Sequence, residues 1–344
     1  MYNIHPKILV LKRMKFNILI VLLSFIFFNV KKINAQSSKK EISRIFNEAY
    51  LNAEAKNFQI AIEIYSRYID FSSNNDSIAI AYFNRGHCYY AISEFQNSYN
   101  DFDSTLVIIA NDSTIKNSRL VALGLNYRGL CYEKLGLMTE ASIDFFLSQL
   151  RDSTLFQPVF NGAMNCEARE IYDTAIKEYY RAISLNLKYS YDQDALLHIL
   201  YRTAMLNRKL ENYYDAIDIF EFYLSIDSTN IDVMNKLGNT YSSIENEQKA
   251  LSYYLKANSI DPNFKDAVFN IGLAYLKLNR TLESIKFLNR AILLDAKNSE
   301  YYKTIGVAML IYNKKKNRDE YDFCTQFDKA CDYGDCEYLN QFCL

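Results

Sequence analysis

The sequence predicts an all-α chain, a solenoid of stacked antiparallel helix pairs, on three observations. Only nine glycines and three prolines occur in 344 residues, too few turn formers for a sandwich or a barrel. Gly238, Gly272 and Gly306 recur 34 residues apart inside similar apolar frames, and a fixed period of that length marks a repeat architecture. Within each frame the apolar residues are spaced 3, 1 and 3, then 4 and 3, which places them on one face of a helix. Half of the residues are apolar and 23 % are charged, enough hydrophobic material for a large core.

From the N-terminus, residues 1–35 carry six cations and no acid, and an apolar run from Ile18 to Phe28 is broken only by Ser24. A basic stretch, an apolar run and a small residue at Ala35 have the form of a secretory signal peptide, with Ala35-Gln36 as the expected cut. Eleven residues at ~1.5 Å each span about half of a ~30 Å bilayer core, so a cleaved signal is expected over a membrane anchor. Met14 begins a more conventional signal than Met1. An exported protein, periplasmic or secreted, is the expectation. Without residues 1–35 the chain has 33 basic and 40 acidic residues. A mildly acidic chain has no electrostatic reason to bind nucleic acid or an anionic membrane.

The repeat frame then runs from about Glu41 to Asn298. Ala61, Ser98, Ala141, Ala175, Ala216, Ala250 and Ser284 fill a small-residue slot in the second helix of seven successive units. Longer gaps between them place insertions near Ser72 to Ser77, Asn111 to Ser118 and Ser190 to Asp194, read as loops. Gly86, Gly129, Gly238 and Gly272 fill a slot in the first helix, where Ala49, Ala163 and Ala204 stand in the other units. Glycine within a helix costs ~1 kcal/mol relative to alanine, so its return at one position requires close approach of the paired helix. An eighth unit contributes a first helix, Tyr301 to Tyr312, and the solenoid is expected to occupy residues 41–313. Lys314-Lys315-Lys316 is read as a solvated loop.

Residues 314–344 are expected to form a helical cap. Cys324, Cys331, Cys336 and Cys343 are separated by 7, 5 and 7 residues. If the chain turns at Tyr333-Gly334-Asp335, a helical hairpin brings Cys331 to Cys336 and Cys324 to Cys343, two nested disulfides that suit an exported protein. Zinc would require short paired spacings that are absent. Cys88, Cys131 and Cys166 lie on first helices, as small buried hydrophobes do.

No enzymatic motif is present. His87 and His198 lie more than a hundred residues apart without metal-ligand spacing, and no nucleophile elbow, phosphate loop or dinucleotide fingerprint occurs. No catalytic residue, metal or cofactor is expected.

The segments Met234-Asn-Lys-Leu-Gly-Asn-Thr-Tyr241 and Val268-Phe-Asn-Ile-Gly-Leu-Ala-Tyr275, followed in the first case by Ala250, Tyr254, Ala257 and Pro262, resemble the tetratricopeptide repeat family. That resemblance implies a right-handed superhelix and a non-enzymatic protein–protein interaction scaffold, whose first helices line a concave groove for an extended peptide or a partner helix. In that groove it places Phe83, His87 and Tyr90, then Asn126, Leu130 and Glu133, then Phe160, Met164 and Glu167, then Tyr201, Met205 and Arg208. Of these, Phe83, His87, Tyr90, Phe160, Met164, Tyr201, Met205 and Arg208 are the candidate partner-binding residues, an apolar track with His87 and Arg208 as polar anchors. The slots in which some family members clamp a chaperone tail carry Phe83, Asn126, Phe160 and Tyr201, so that clamp is not expected. The alternative reading is a surface glycan-binding or accessory protein on the same repeats.

Overall fold

The computed structural model describes residues 35–190 and 192–343, with side chains from Glu41 onward. The expected export segment lies outside the described residues, except for Ala35, which begins the first helix. No helix among the described residues is long and apolar enough to cross a membrane.

The described residues form seventeen α-helices and no strand, and the chain divides into two compact units, Met1–Ser153 and Thr154–Leu344. The first unit holds α1 (Ala35–Glu54), α2 (Phe58–Phe71), α3 (Asn75–Ala91), α4 (Phe95–Asn111), α5 (Ser118–Lys134) and α6 (Met138–Arg151). The second holds α7 (Gln157–Ala168), α8 (Tyr172–Leu185), α9 (Gln193–Lys209), α10 (Tyr213–Ile226), α11 (Ile231–Ser243), α12 (Glu247–Ile260), α13 (Lys265–Lys277), α14 (Thr281–Leu294), α15 (Ser299–Lys316), α16 (Phe323–Asp332) and α17 (Glu337–Phe342). Within each unit every helix packs on the next in the chain, so each unit is a solenoid of helix pairs.

Local chemistry sets the helix ends. Asn74, Asn117, Asp192 and Asn230 cap first helices, each side-chain oxygen accepting a hydrogen bond from the backbone N–H three residues on, which satisfies a donor that a helix start leaves unpaired. Between the two helices of each unit one residue takes a left-handed conformation: Lys56, Ser93, Gly136, Glu170, Glu211, Glu245 and Asn279. Each lies seven residues after the glycine or alanine slot. Gly136 and Asn279 are residues that take this region readily; at the other five, helix packing imposes it on side chains that disfavour it.

The pairing itself rests on one contact. Sixteen residues after each first-helix slot stands a large second-helix side chain, giving Ala49 with Tyr65, Gly86 with Phe102, Gly129 with Phe145, Ala163 with Tyr179, Ala204 with Phe220, Gly238 with Tyr254 and Gly272 with Leu288. All seven large side chains are buried. A methyl group added at Gly129 would sit 2.7 Å from the Phe145 ring, and one at Gly272 would sit 2.7 Å from Leu288 Cγ, so these glycines let the second helix come closer than alanine allows. Ala61, Ser98, Ala141, Ala175, Ala216, Ala250 and Ser284 are fully buried, and Ser98 Oγ donates to the Gly86 carbonyl at 2.8 Å.

In the first unit the same interface carries a repeated ion pair. Arg85 makes a bidentate pair with Asp101 at 2.7 and 2.8 Å, and Arg128 makes one with Asp144 at 2.8 and 2.9 Å while reaching Asp103 at 2.6 Å. Two parallel N–H···O bonds fix orientation as well as charge.

Three expectations are corrected. Lys314-Lys315-Lys316 is the last turn of α15 and not a loop, as suits cations at the negative end of a helix dipole, and Asn317 ends it in the left-handed region with φ 50°. The boundary expected at residues 313 and 314 therefore falls inside α15. The insertions are only partly loops: Asn75 to Ser77 lie in α3, and Asn186–Ser190 continues α8 as a π-helical turn. That turn is held by Asn186, which is buried and donates from Nδ2 to the Asp192 carbonyl.

Both nested disulfides are present, Cys324 with Cys343 and Cys331 with Cys336. Gly334 takes φ 99° at the turn between them. The cap also completes the eighth unit, since α16 packs on α15 and the fully buried Phe327 lies against Gly306. Cys88 and Cys131 are buried, and burial pushes both thiols up to about 11; Cys166 is half-buried.

Two outcomes follow from this packing. Gly129→Ala is expected to lower stability in urea unfolding, because overpacking costs ~1–3 kcal/mol and outweighs the ~1 kcal/mol gained in helix propensity. Gly86→Ala, whose added methyl would meet Phe102 at 3.1 Å, should be close to neutral, and a Gly129→Ala protein more stable than the parent would refute the close-approach account. Opening the larger disulfide with Cys324→Ser should remove about 3 kcal/mol of chain-entropy stabilisation from α16 and α17. Hydrogen exchange should then rise around Phe327 and stay unchanged in α5 and α6.

Candidate functional site

The first helices of neighbouring repeats lie side by side, α1 with α3 and α3 with α5 in the first unit, α11 with α13 and α13 with α15 in the second. The predicted stripe residues therefore face the next first helix as well as any partner. All eight candidates are half-buried.

In the first unit Phe83 and His87 sit in an aromatic cluster. The His87 ring lies 3.9 Å from Tyr127, 4.9 Å from Phe83 and 5.7 Å from Phe102, each edge-on. Burial in this apolar cage lowers the imidazole to about 4, so His87 is neutral at physiological pH and is no cationic anchor. Tyr90 packs on Phe95 at 5.3 Å. Asn126 is buried rather than lining an open surface.

In the second unit Phe160 lies 5.8 Å from Tyr179 and 5.3 Å from His198, and Met164 packs in the same cluster. Tyr201 packs near Phe220 and donates its hydroxyl hydrogen to Asp232 at 3.2 Å, while Met205 packs into the adjoining core. Glu167, from the same stripe, accepts from the Tyr179 hydroxyl at 2.5 Å and from Arg202 at 2.9 Å; burial and this acceptor push the Tyr179 phenol up. The expected track thus falls into two stretches. Phe83, His87 and Tyr90 belong to the first unit, and the other five candidates to the second.

Of those five, Arg208 lines an open cleft of about 200 Å³ among α9, α11, α12 and α13, together with Asn239, Ser242, Glu247, Tyr254, Asn270, Leu273 and Lys277. Its walls are polar and networked. Tyr254 Oη donates to Asn239 Oδ1 at 2.7 Å, and Asn270 Nδ2 donates to Asn235 Oδ1 at 2.8 Å and to Asn239 Oδ1 at 3.0 Å. Lys277 Nζ reaches Glu247 Oε1 and Ser242 Oγ, each at 2.7 Å. A larger pocket of about 510 Å³ in the first unit is mainly apolar, floored by Leu106, Ile109, Val121, Leu125 and Leu147, and its Arg128 is already bound to Asp103 and Asp144.

The sequence reading of the stripe stopped at Arg208 and so missed Asn239, Ser242, Asn270 and Lys277. The signal was present. Adding the 34-residue period to Tyr201, Met205 and Arg208 reaches Asn235, Asn239 and Ser242. A search for apolar tracks passes over these polar side chains.

Residues 231–264 and 266–298, which carry most of this cleft, match the tetratricopeptide repeat model. None of the curated proteins matches the chain. Similar solved structures include a tetratricopeptide repeat protein from Parabacteroides merdae, 12 % identical with a TM-score of 0.49, over 78 % of this chain and 99 % of that one. Pseudomonas aeruginosa PilF is 12 % identical with a TM-score of 0.49, over 66 % of this chain and 96 % of its own. YrrB, described as a TPR protein with an unusual peptide-binding site, is 20 % identical with a TM-score of 0.47, over 57 % of this chain and 95 % of its own.

The His87 cage predicts a pH dependence with a definite sign. Unfolded, His87 takes up its proton near the ordinary value of 6.5; folded, it does so only at about 4. Its contribution to stability is therefore complete above pH 6.5, declines as pH falls through the interval and is gone below about 4, at most about 3 kcal/mol. An NMR titration should place the His87 imidazole near 4, and His87→Phe should flatten this part of the stability profile. An imidazole titrating near 6.5 would contradict the buried cage.

Proposed function

We propose that this chain is a non-enzymatic protein–protein interaction scaffold that takes an extended peptide or a partner helix on the face formed by its first helices. The observation that carries the reading is the cleft among α9, α11, α12 and α13. A cluster of amides, hydroxyls and charges lies open to the surface there, and the two segments that match the tetratricopeptide repeat model supply most of it. Placement in the cell envelope or secreted space rests on the form of residues 1–35 and on two disulfides near the C-terminus, which persist in oxidising compartments.

Peptides selected from a random display library on the immobilised chain test the proposal. Tyr201 borders the cleft residue Arg208 on α9, and aromatic side chains carry much of the energy at interfaces. Tyr201→Ala should therefore weaken binding of a selected peptide about thirtyfold, given ~2 kcal/mol for a hot spot and ~1.4 kcal/mol per decade. Unchanged affinity together with a lowered melting temperature would assign Tyr201 to the core and remove the apolar track from the binding surface.

A further inference from the structure

Arg85, Arg128 and Arg202 are half-buried, and each is matched by an acid: Asp101, Asp144 and Glu167. Arg208 is not. It makes no ion pair among the described residues, its Nε is buried without a hydrogen bond, and the groups acting on it besides desolvation are the hydroxyls of Tyr201, Tyr213 and Tyr254. A guanidinium taken out of water without a counter-charge is costly to the fold. Glu247, a carboxylate lining the cleft, is held through Oε1 by Lys277 and Ser242, its Oε2 is buried without a hydrogen bond, and it makes no ion pair with Arg208 among the described residues.

We infer that the cleft receives the side-chain carboxylate of an aspartate or glutamate within an extended peptide, with Arg208 as its ion-pair partner. This deepens the peptide-binding reading and rests on it. The amides beside Arg208 suit a peptide backbone. Asn239 Oδ1 is occupied by Tyr254 and Asn270, which leaves Asn239 Nδ2 to donate to a peptide carbonyl. Asn270 spends Nδ2 on its neighbours, which leaves Oδ1 to accept from a peptide N–H. One donor and one acceptor match what a peptide unit presents. With Lys277 and Glu247 neutralising each other, the cleft retains one positive charge, the complement of a single carboxylate.

The test pans phage-displayed random dodecapeptides on the full oxidised chain, then titrates the selected sequences as N-acetylated, C-amidated synthetic peptides. Supporting results are a shared Asp or Glu, a loss of about tenfold to a hundredfold when it becomes Asn or Gln, and no such loss on Arg208→Gln, as expected for a charge-assisted hydrogen bond. Affinity of the acidic peptide should also fall with added salt on the parent chain while that of its amide variant does not, a readout that does not depend on how well Arg208→Gln folds. Peptides that bind without acid preference, an acid effect that persists on Arg208→Gln, or a requirement for a free C-terminal carboxylate would each overturn the inference and leave peptide binding standing. Selection of no peptide would overturn both.

Discussion

The structure depends on how closely two helices approach at the glycine or alanine slot. Protein interiors are packed to crystal-like density, so a helix pair with a large ring on one side needs a matching recess on the other. Phe102, Phe145, Tyr179, Phe220 and Tyr254 are such rings, and the residues sixteen positions earlier in sequence are Gly86, Gly129, Ala163, Ala204 and Gly238. Once this separation is set, the turn between the helices has one solution. That accounts for a left-handed residue at the same offset in each of these pairs, whether Ser93, Glu170 or Glu245. The eighth pair shows that the recess outranks chain spacing, since Phe327 lies twenty-one residues after Gly306 and still fills the same place.

Much of this was legible because period and spacing are properties of the chain itself. The slots at Ala61 through Ser284, the placement of Gly86 and Gly129, and the pairing of Cys324 with Cys343 all follow from counting residues along helices that face one another. What counting leaves open is the identity of the neighbour. Phe83 and Tyr201 lie on the stripe that periodicity assigns to a partner, but a stripe facing the next first helix has the same period as one facing solvent. Phe83 meets Tyr127, and Tyr201 meets Asp232. The turns were hidden for a related reason. Lys56, Glu211 and Glu245 are not the residues that a left-handed position selects, and tertiary packing overrides their local preference.

The two units handle buried polarity differently. In the first, arginines bridge acids across helix pairs, from Arg85 to Asp101 and from Arg128 to Asp103 and Asp144. In the second, tyrosine hydroxyls do much of this work: Tyr179 donates to Glu167 and Tyr241 donates to Glu221 at 2.6 Å. Burial and the acidic acceptor raise both phenols, so these bonds keep their protons across the physiological range. A polar group without such a partner stands out against this pattern. Arg208 is one such group, and it lines an open cleft.

The larger disulfide also determines how the C-terminal end carries force. Cys343 is bonded to Cys324, nineteen residues earlier in the chain, so tension applied at the last residues crosses the sulfur bridge into the start of α16. The covalent loop between these cysteines, with α17 and most of α16 inside it, bears none of that load. The noncovalent contacts first stressed are then those of the segment that joins α15 to Cys324, where Tyr321 packs on Tyr312. A tether at this end would pull on that segment and not on α17.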